Sequence, residues 1–290
     1  MYWESNVFRL ETGKRLFYLN LCGLKPEWPF KERLNGGQEG SMRNGLFKGV
    51  GPFHKTGLKA MQVERIKTGI PGLDELLDGG IPKGSLVVLS GDPGSGKTIF
   101  SLQFLYTGAM QHDEKGVLIS LEEKPDQLIE TASVFGWDFK KLVQEKKIII
   151  QSFELYDFDK LRDSIEDLVT KAKAKRLVID PGVIFRLYFE RELDARKRIV
   201  VLGKMLKQLG VTTLVTNEAT HGQTDGLFGL EEYVADGVIL LYHKKLKNEF
   251  IRSVGVLKMR NTKIAEKLRP VRIDSKGIEV LARTELFHEI

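Results

Sequence analysis

The 290-residue chain has one cysteine, Cys22, and only nine prolines. A single cysteine closes no internal disulfide, and a reducing, cytoplasmic compartment is the expected setting. No run of 18 apolar residues occurs, so no membrane-spanning helix is expected. The first residues lack the basic-then-apolar order of a secretory signal. A strong charge of one sign is missing too, because the net charge of +6 is unevenly placed. Residues 1–60 carry 10 basic and 5 acidic side chains, and residues 61–290 carry 35 and 34. The larger part therefore announces no polyanionic partner by composition, although a local basic surface remains compatible with it. The first sixty residues also lack isoleucine and aspartate, whereas the rest holds 19 isoleucines. With scattered glycines and no helical or strand period over 35–57, residues 1–60 are expected to be a disordered basic extension. Two origins stand for it: a mistaken upstream start, with Met61 the genuine one, or a tail that docks a partner. Residues 61–290 are long enough for one large α/β domain.

What is present is concentrated at Gly91-Asp92-Pro93-Gly94-Ser95-Gly96-Lys97-Thr98, which matches G-x-x-x-x-G-K-[ST]. The strand-length apolar run Leu86–Leu89 precedes it, and a helical pattern follows from Thr98 to Gln111, with Ile99, Leu102, Leu105 and Tyr106 on one side. A strand, a glycine turn and a helix N-terminus are the parts a phosphate site needs. Glycines let several backbone N–H groups point at one phosphate, and the helix start adds the positive end of its dipole. Lys97 is expected at the β- and γ-phosphates and the Thr98 hydroxyl on Mg²⁺.

From Met61 onward strands and helices alternate. Strands are expected at 86–90, 117–121, 148–150, 177–180, 213–216 and 238–242, and helices at 126–135, 158–174 and 192–209. In the last helix Leu193, Val200, Met205, Leu206 and Leu209 form the expected buried stripe, ended by Gly210. Short strands at 251–258, 270–273 and 278–281 close the chain. The result is an α/β fold with a mostly parallel central sheet flanked by helices and an antiparallel C-terminal edge.

Six further residues in four stretches carry chemistry. Asp180 ends the apolar strand Leu177–Ile179 and suits Mg²⁺. Glu122 and Glu123 end the strand after the phosphate-loop helix, where one carboxylate can polarise the attacking water; the pattern leaves open which. Asn217, at another strand end, stands where ligands gather in parallel sheets, able to sense the γ-phosphate or merely to cap a turn. Lys258 and Arg260 alternate on one face of a late strand; they suit solvation, ion pairing, or the ATP of a neighbouring copy.

Together these pieces resemble the KaiC branch of the RecA-type ATPases over about 65–282. Thr68-Gly69-Ile70-Pro71-Gly72-Leu73-Asp74 and Gly79-Gly80-Ile81-Pro82 look like the family's opening. The phosphate loop, Leu121-Glu122-Glu123, Phe135-Gly136-Trp137, Val178-Ile179-Asp180, Glu231 to Asp236 and Leu257-Lys258-Met259-Arg260 follow in family order. The resemblance implies a RecA-like phosphate-loop domain in a homohexameric ring, with ATP and Mg²⁺ at subunit interfaces. It implies that Glu122 and Glu123 include the catalytic base, and that Lys258 and Arg260 act on the neighbour's ATP. Three departures stand out. Glu231-Glu232 occupies the place of the autophosphorylated Ser-Thr, which disfavours autokinase activity. Pro181-Gly182 follows Asp180 where serine is common, and Ile264 replaces a histidine.

The expected activity is slow, Mg²⁺-dependent ATP hydrolysis in a ring that acts as a regulatory switch on unidentified protein partners. One rival is a RecA- or RadA-related recombination or repair accessory with single-stranded DNA in the ring. Against it, the stretch 219–232 has no Lys or Arg, and Phe228 is its sole aromatic. The other rival is a nucleotide-dependent scaffold with little turnover.

Overall fold

Apolar runs too short for a helix become the strands of one sheet, and the amphipathic stretches between them become its covering helices. The computed structural model describes residues 7–12, 15–20, 63–153, 157–182, 191–218 and 234–286. The chain divides into two units, Met1–Leu58 and Lys59–Ile290. In the first, β1 (Val7–Thr12) and β2 (Arg15–Asn20) pair antiparallel, Thr12 opposite Arg15. The remaining expectation for residues 1–60, Met61 as a start, the 219–232 stretch and Glu231-Glu232 all lie outside the described residues.

The second unit begins with the small pair β3 (Arg65–Ile66) and β4 (Ile81–Pro82), joined through α1 (Leu73–Leu76). There follow β5 (Leu86–Gly91), α2 (Lys97–Gln111), β6 (Gly116–Ser120), α3 (Pro125–Val134), α4 (Phe139–Gln144) and β7 (Ile148–Ser152). Then come α5 (Phe158–Ala172), β8 (Arg176–Asp180), α6 (Glu192–Gln208) and β9 (Thr212–Glu218). The chain ends in β10 (Gly237–Leu246), β11 (Glu249–Met259), β12 (Arg269–Asp274) and β13 (Gly277–Val280). The nine-stranded sheet runs β13-β12-β11-β10-β5-β9-β8-β6-β7. Strands β10 to β7 in that order are parallel, and β11, β12 and β13 add antiparallel to one edge. The RecA-like architecture read from the sequence is therefore the one observed.

All of β5 is buried, as a central parallel strand must be, and its side chains alternate between two cores. Val87 and Leu89 join Phe100, Phe104, Leu128 and Phe139 beneath α2, α3 and α4. Leu86 and Val88 join Leu161, Ile165, Ile199 and Leu206 beneath α5 and α6. Full burial of each such aromatic or aliphatic side chain stabilises the fold by about 1.5–3 kcal/mol.

Two helix faces differ from expectation. Helix α2 packs the expected Ile99, Leu102, Leu105 and Tyr106 on one core, the first and last only partly buried, and also buries Phe100, Phe104 and Ala109, because it is wedged between the sheet and other elements, β13 and α3 among them. On α6 the stripe is Ala195, Ile199, Leu202 and Leu206 at helical spacing, joined by Met205. Leu193 is 62% exposed, because it lies in the first turn on the outer side. Gly210, at φ 65°, does end that helix.

Candidate functional site

Gly91 is the last residue of β5, at the carboxyl edge of the parallel sheet, where Asp92, Pro93, Gly94, Ser95 and Gly96 turn the chain into α2. Gly94 and Gly96 take φ of 72° and 101°, which side chains with a Cβ rarely adopt. The turn closes with Ser95 N–H donating to the Asp92 carbonyl at 3.1 Å and Phe100 N–H to the Gly96 carbonyl at 2.9 Å. The Ser95 hydroxyl is buried and has no hydrogen-bond partner among the described residues, an orphan polar group inside a phosphate-type cradle.

Lys97 opens α2, and its ammonium donates to the carbonyls of Gly91 at 2.8 Å and Asp92 at 3.1 Å. Burial pulls its pKa down, opposed by the charges of Glu218, Asp180, Asp92 and Glu122. The Thr98 hydroxyl donates to Asp180 Oδ2 at 3.2 Å, so two groups 82 positions apart meet at the mouth of the loop. The Thr216 hydroxyl donates to the other oxygen, Oδ1. Burial holds the Asp180 carboxyl above the ordinary carboxylate range, although both hydroxyls and Lys97 favour its charged form. A hydroxyl and a carboxylate side by side are hard oxygen donors that fit a magnesium ion completing its shell with phosphate oxygens and water. Among the described residues no cluster of three or more His, Cys, Asp and Glu could hold a metal by protein ligands alone. The Asp180–Pro181 bond is cis, and the strand-end carboxylate stays at the site despite the Pro181-Gly182 departure.

The structure separates the two glutamates that the sequence leaves equivalent. Glu123 is half-buried, and its backbone N–H and carbonyl are both tied to the Ser120 hydroxyl, at 3.1 and 2.6 Å. Burial raises its pKa, with help from the charges of Asp180 and Glu122. Glu122 is exposed and acts electrostatically on Lys97. Glu123 is thus the more buried carboxyl and feels the charge of Asp180, and Glu122 is the exposed one. Asn217 is buried beside Ser90 of β5, one position beyond Thr216.

Lys258 and Arg260 are not brought to this loop. Val238 pairs with Lys258 and Gly237 with Met259, while Gly237 also pairs with Val87 near the start of β5. Arg260 therefore sits at the amino edge of the parallel strands, the full length of β5 away, about 17 Å. Its guanidinium donates to Asp236 Oδ1 at 3.0 Å and is otherwise half exposed. Burial, and then the charge of Arg260, lower the pKa of Lys258.

Several neighbours of the loop were missed from sequence. His243 N–H donates to Asp92 Oδ2 at 3.0 Å, and Arg252 Nε donates to the Gly94 carbonyl at 3.1 Å. Ile273 and Ile278 approach Gly96 so closely that a Cβ there would stand 2.9 and 3.2 Å from their Cδ1 atoms. Arg252, the one charged residue of the strand-like 251–256 run, is the local signal in the sequence. The partners stand some 150 to 180 positions from the loop.

Comparison with known proteins gives concordant matches. The family described as "ATPase: KaiC" matches residues 66–285. A UPF0273 protein of Methanocaldococcus jannaschii is 37% identical over 235 residues, covering 75% of this chain and 96% of its own. A circadian clock oscillator protein KaiC of Prochlorococcus marinus is 34% identical, covering 77% of this chain but 46% of its own, so the chain spans about half of that relative. The crystal structure of a KaiC-like protein from Pyrococcus horikoshii superposes with a TM-score of 0.69 at 41% identity, covering 75% of this chain and 99% of the other.

Proposed function

The chain belongs to the KaiC family of ATPases, and from that premise we propose that it hydrolyses ATP with Mg²⁺ in a ring of identical subunits and serves as a regulatory switch. The observation that carries this reading is the meeting of Thr98 and Asp180 at 3.2 Å immediately after Lys97. A loop alone could hold any phosphate; a loop with a strand-end carboxylate on its threonine is built for a triphosphate and its cation.

Backbone N–H groups of 94–98 and the start of α2 hold the phosphates, and Lys97 spans the β- and γ-groups. Thr98 and Asp180 would hold Mg²⁺, which offsets the charge developing on the phosphates when bound. Glu122 orients the attacking water and accepts its proton; its exposure admits water, and its charge acts on Lys97, which supports this role. Glu123 supports the carboxylate side of the site, and Asn217 links it to the stretch that follows β9. Because Arg260 and Lys258 lie at the far edge of their own sheet, they serve a neighbouring copy's ATP. That makes each site incomplete without a second subunit and fits a closed ring, six-membered in this reading. A cytoplasmic setting with protein partners completes the proposal; among the described residues no helix is long and apolar enough to cross a membrane.

The test is steady-state phosphate release by the full chain with Mg²⁺, at varied protein concentration and with or without single-stranded DNA. The expected result is slow release, indifferent to DNA, whose specific rate rises with protein concentration and which Lys97→Ala abolishes. Stimulation of several-fold by DNA would replace this reading with the recombination one. Absence of turnover with ATP still bound would replace it with the scaffold.

A further inference from the structure

We infer that Asp236 is the positioning residue for Arg260, seating that side chain for delivery to a neighbouring subunit; the inference rests on the trans-acting reading above. Asp236 begins the run into β10, and its side chain is only 6% exposed. Its Oδ2 accepts the backbone N–H of Leu86 at 3.1 Å, and its own N–H donates to the Leu86 carbonyl at 2.7 Å. Its Oδ1 accepts Lys207 Nζ at 2.7 Å and Arg260 Nη1 at 3.0 Å. Its carbonyl accepts the backbone N–H of Arg260 at 2.8 Å. One buried residue therefore grips Arg260 by backbone and by guanidinium, and is itself fixed to the first residue of the phosphate-loop strand.

The turn beyond Arg260 is pinned independently. Arg65 donates to the Asn261 carbonyl at 3.0 Å and to the Thr262 hydroxyl at 2.8 Å. The root of the arginine is thus held on both sides, while its side chain stays 56% exposed. A guanidinium has five donors in a rigid fork. One donor spent on Asp236 ties down one corner of the fork and leaves the exposed remainder toward solvent. The carboxylate also balances Arg260 against the nearby Lys258, two like charges that would otherwise splay apart. A structural ion pair with Lys207 alone would need neither the backbone grip nor the exposed remainder of the guanidinium.

Phosphate release by full-length chains in mixed rings separates the possibilities. Arg260→Ala keeps its loop and loses its arginine; Lys97→Ala keeps its arginine and loses its loop. Mixing the two should restore release, and failure here would overturn the trans-acting reading itself. With that established, Asp236→Asn alone should lose about 10²-fold in kcat, the scale of a misplaced reacting group, with KM for ATP within about twofold. Mixed with Lys97→Ala, it should recover as far as Arg260→Ala does, since its own loop is sound. The double variant Lys97→Ala/Asp236→Asn should fail to rescue Arg260→Ala. If Asp236→Asn does not fold by circular dichroism, Asp236→Glu keeps the charge, shifts the seat by one methylene and should show the same one-sided rescue. Wild-type kcat, or a loss that the Lys97→Ala partner does not restore, overturns the inference.

Discussion

Adding one methyl group to α2 should loosen the site from behind. Gly108 lies against Arg176, and a Cβ placed there would stand 2.2 Å from Nε, 2.4 Å from Cδ and 2.8 Å from Cζ. Arg176 has nowhere to retreat: it is fully buried, donates to Glu114 from Nε at 2.7 Å and to the Phe104 carbonyl from Nη1 at 2.7 Å, and lies 4.5 Å over the Phe104 ring. Gly108→Ala therefore breaks a buried ion pair, a loss of about 3–5 kcal/mol, offset by roughly 1 kcal/mol from the better helix propensity of alanine. The net loss of about 2–4 kcal/mol corresponds to a Tm lower by roughly 5–15 °C for a domain of this size. Arg176 begins β8, and Asp180 ends it; α2 begins at Lys97 and Thr98. The same substitution should therefore weaken Mg²⁺-dependent ATP binding without touching a ligand. Thermal unfolding by circular dichroism, with and without Mg²⁺ and ATP, measures both effects. Arg176→Met in the Gly108→Ala background should regain part of the loss, because the clash and the stranded charge go together. An unchanged or higher Tm for Gly108→Ala, the outcome of helix propensity alone, would refute the clash and the clip it disturbs.

The remaining predictions concern the chemistry. Glu122→Gln should lower kcat by about 10²–10⁴ with ATP binding intact, the usual contribution of a general base, and Glu123→Gln by less; the reverse order in single-turnover assays would reassign the base. Asp180 has its pKa raised by burial, so the empty fold loses stability as pH rises through the window above the ordinary carboxylate value. Asp180→Asn should consequently raise the Tm at neutral pH, with the gain vanishing as pH falls toward about 4, and should abolish the stabilisation by Mg²⁺ and ATP; a lower neutral Tm would contradict this sign. In an equimolar random mixture of Arg260→Ala and Lys97→Ala, about one interface in four pairs a live loop with a live arginine, so about a quarter of the wild-type release rate should return.

The parts legible in the sequence are those whose signal is local. The phosphate loop names itself because its glycines, Lys97 and Thr98 fall within eight successive residues, and Asp180 follows from a strand ending in a carboxylate. The parallel sheet follows from short apolar runs, such as Leu86–Leu89, separated by helical periods. What the chain does not spell out are contacts between distant positions: Thr216 on Asp180, Arg252 on Gly94, Asp236 under Arg260. Helix faces are legible only when one side is buried, so on α2 the side of Ile99, Leu102, Leu105 and Tyr106 can be read and the burial of Phe100 and Phe104 cannot. On α6 the apolar Leu193 suggested burial that its place in the first turn denies. Helices α1 and α4, of four and six residues, are too short to show a period.

Strand β5 has a glycine at one end that opens the phosphate loop and, at the other, the residue to which Asp236 is fastened. It is enclosed along its whole length between β10 and β9, with a core pressed on each face. A strand held in this way cannot bow or slip by a fraction of a residue; it travels as a stiff rod or not at all. Its two ends, the phosphate loop and the seat of the arginine, are joined by one continuous strand bonded on both sides. In the ring proposed above, such a rod would join the loop that holds a subunit's own phosphate to the arginine it lends the next subunit.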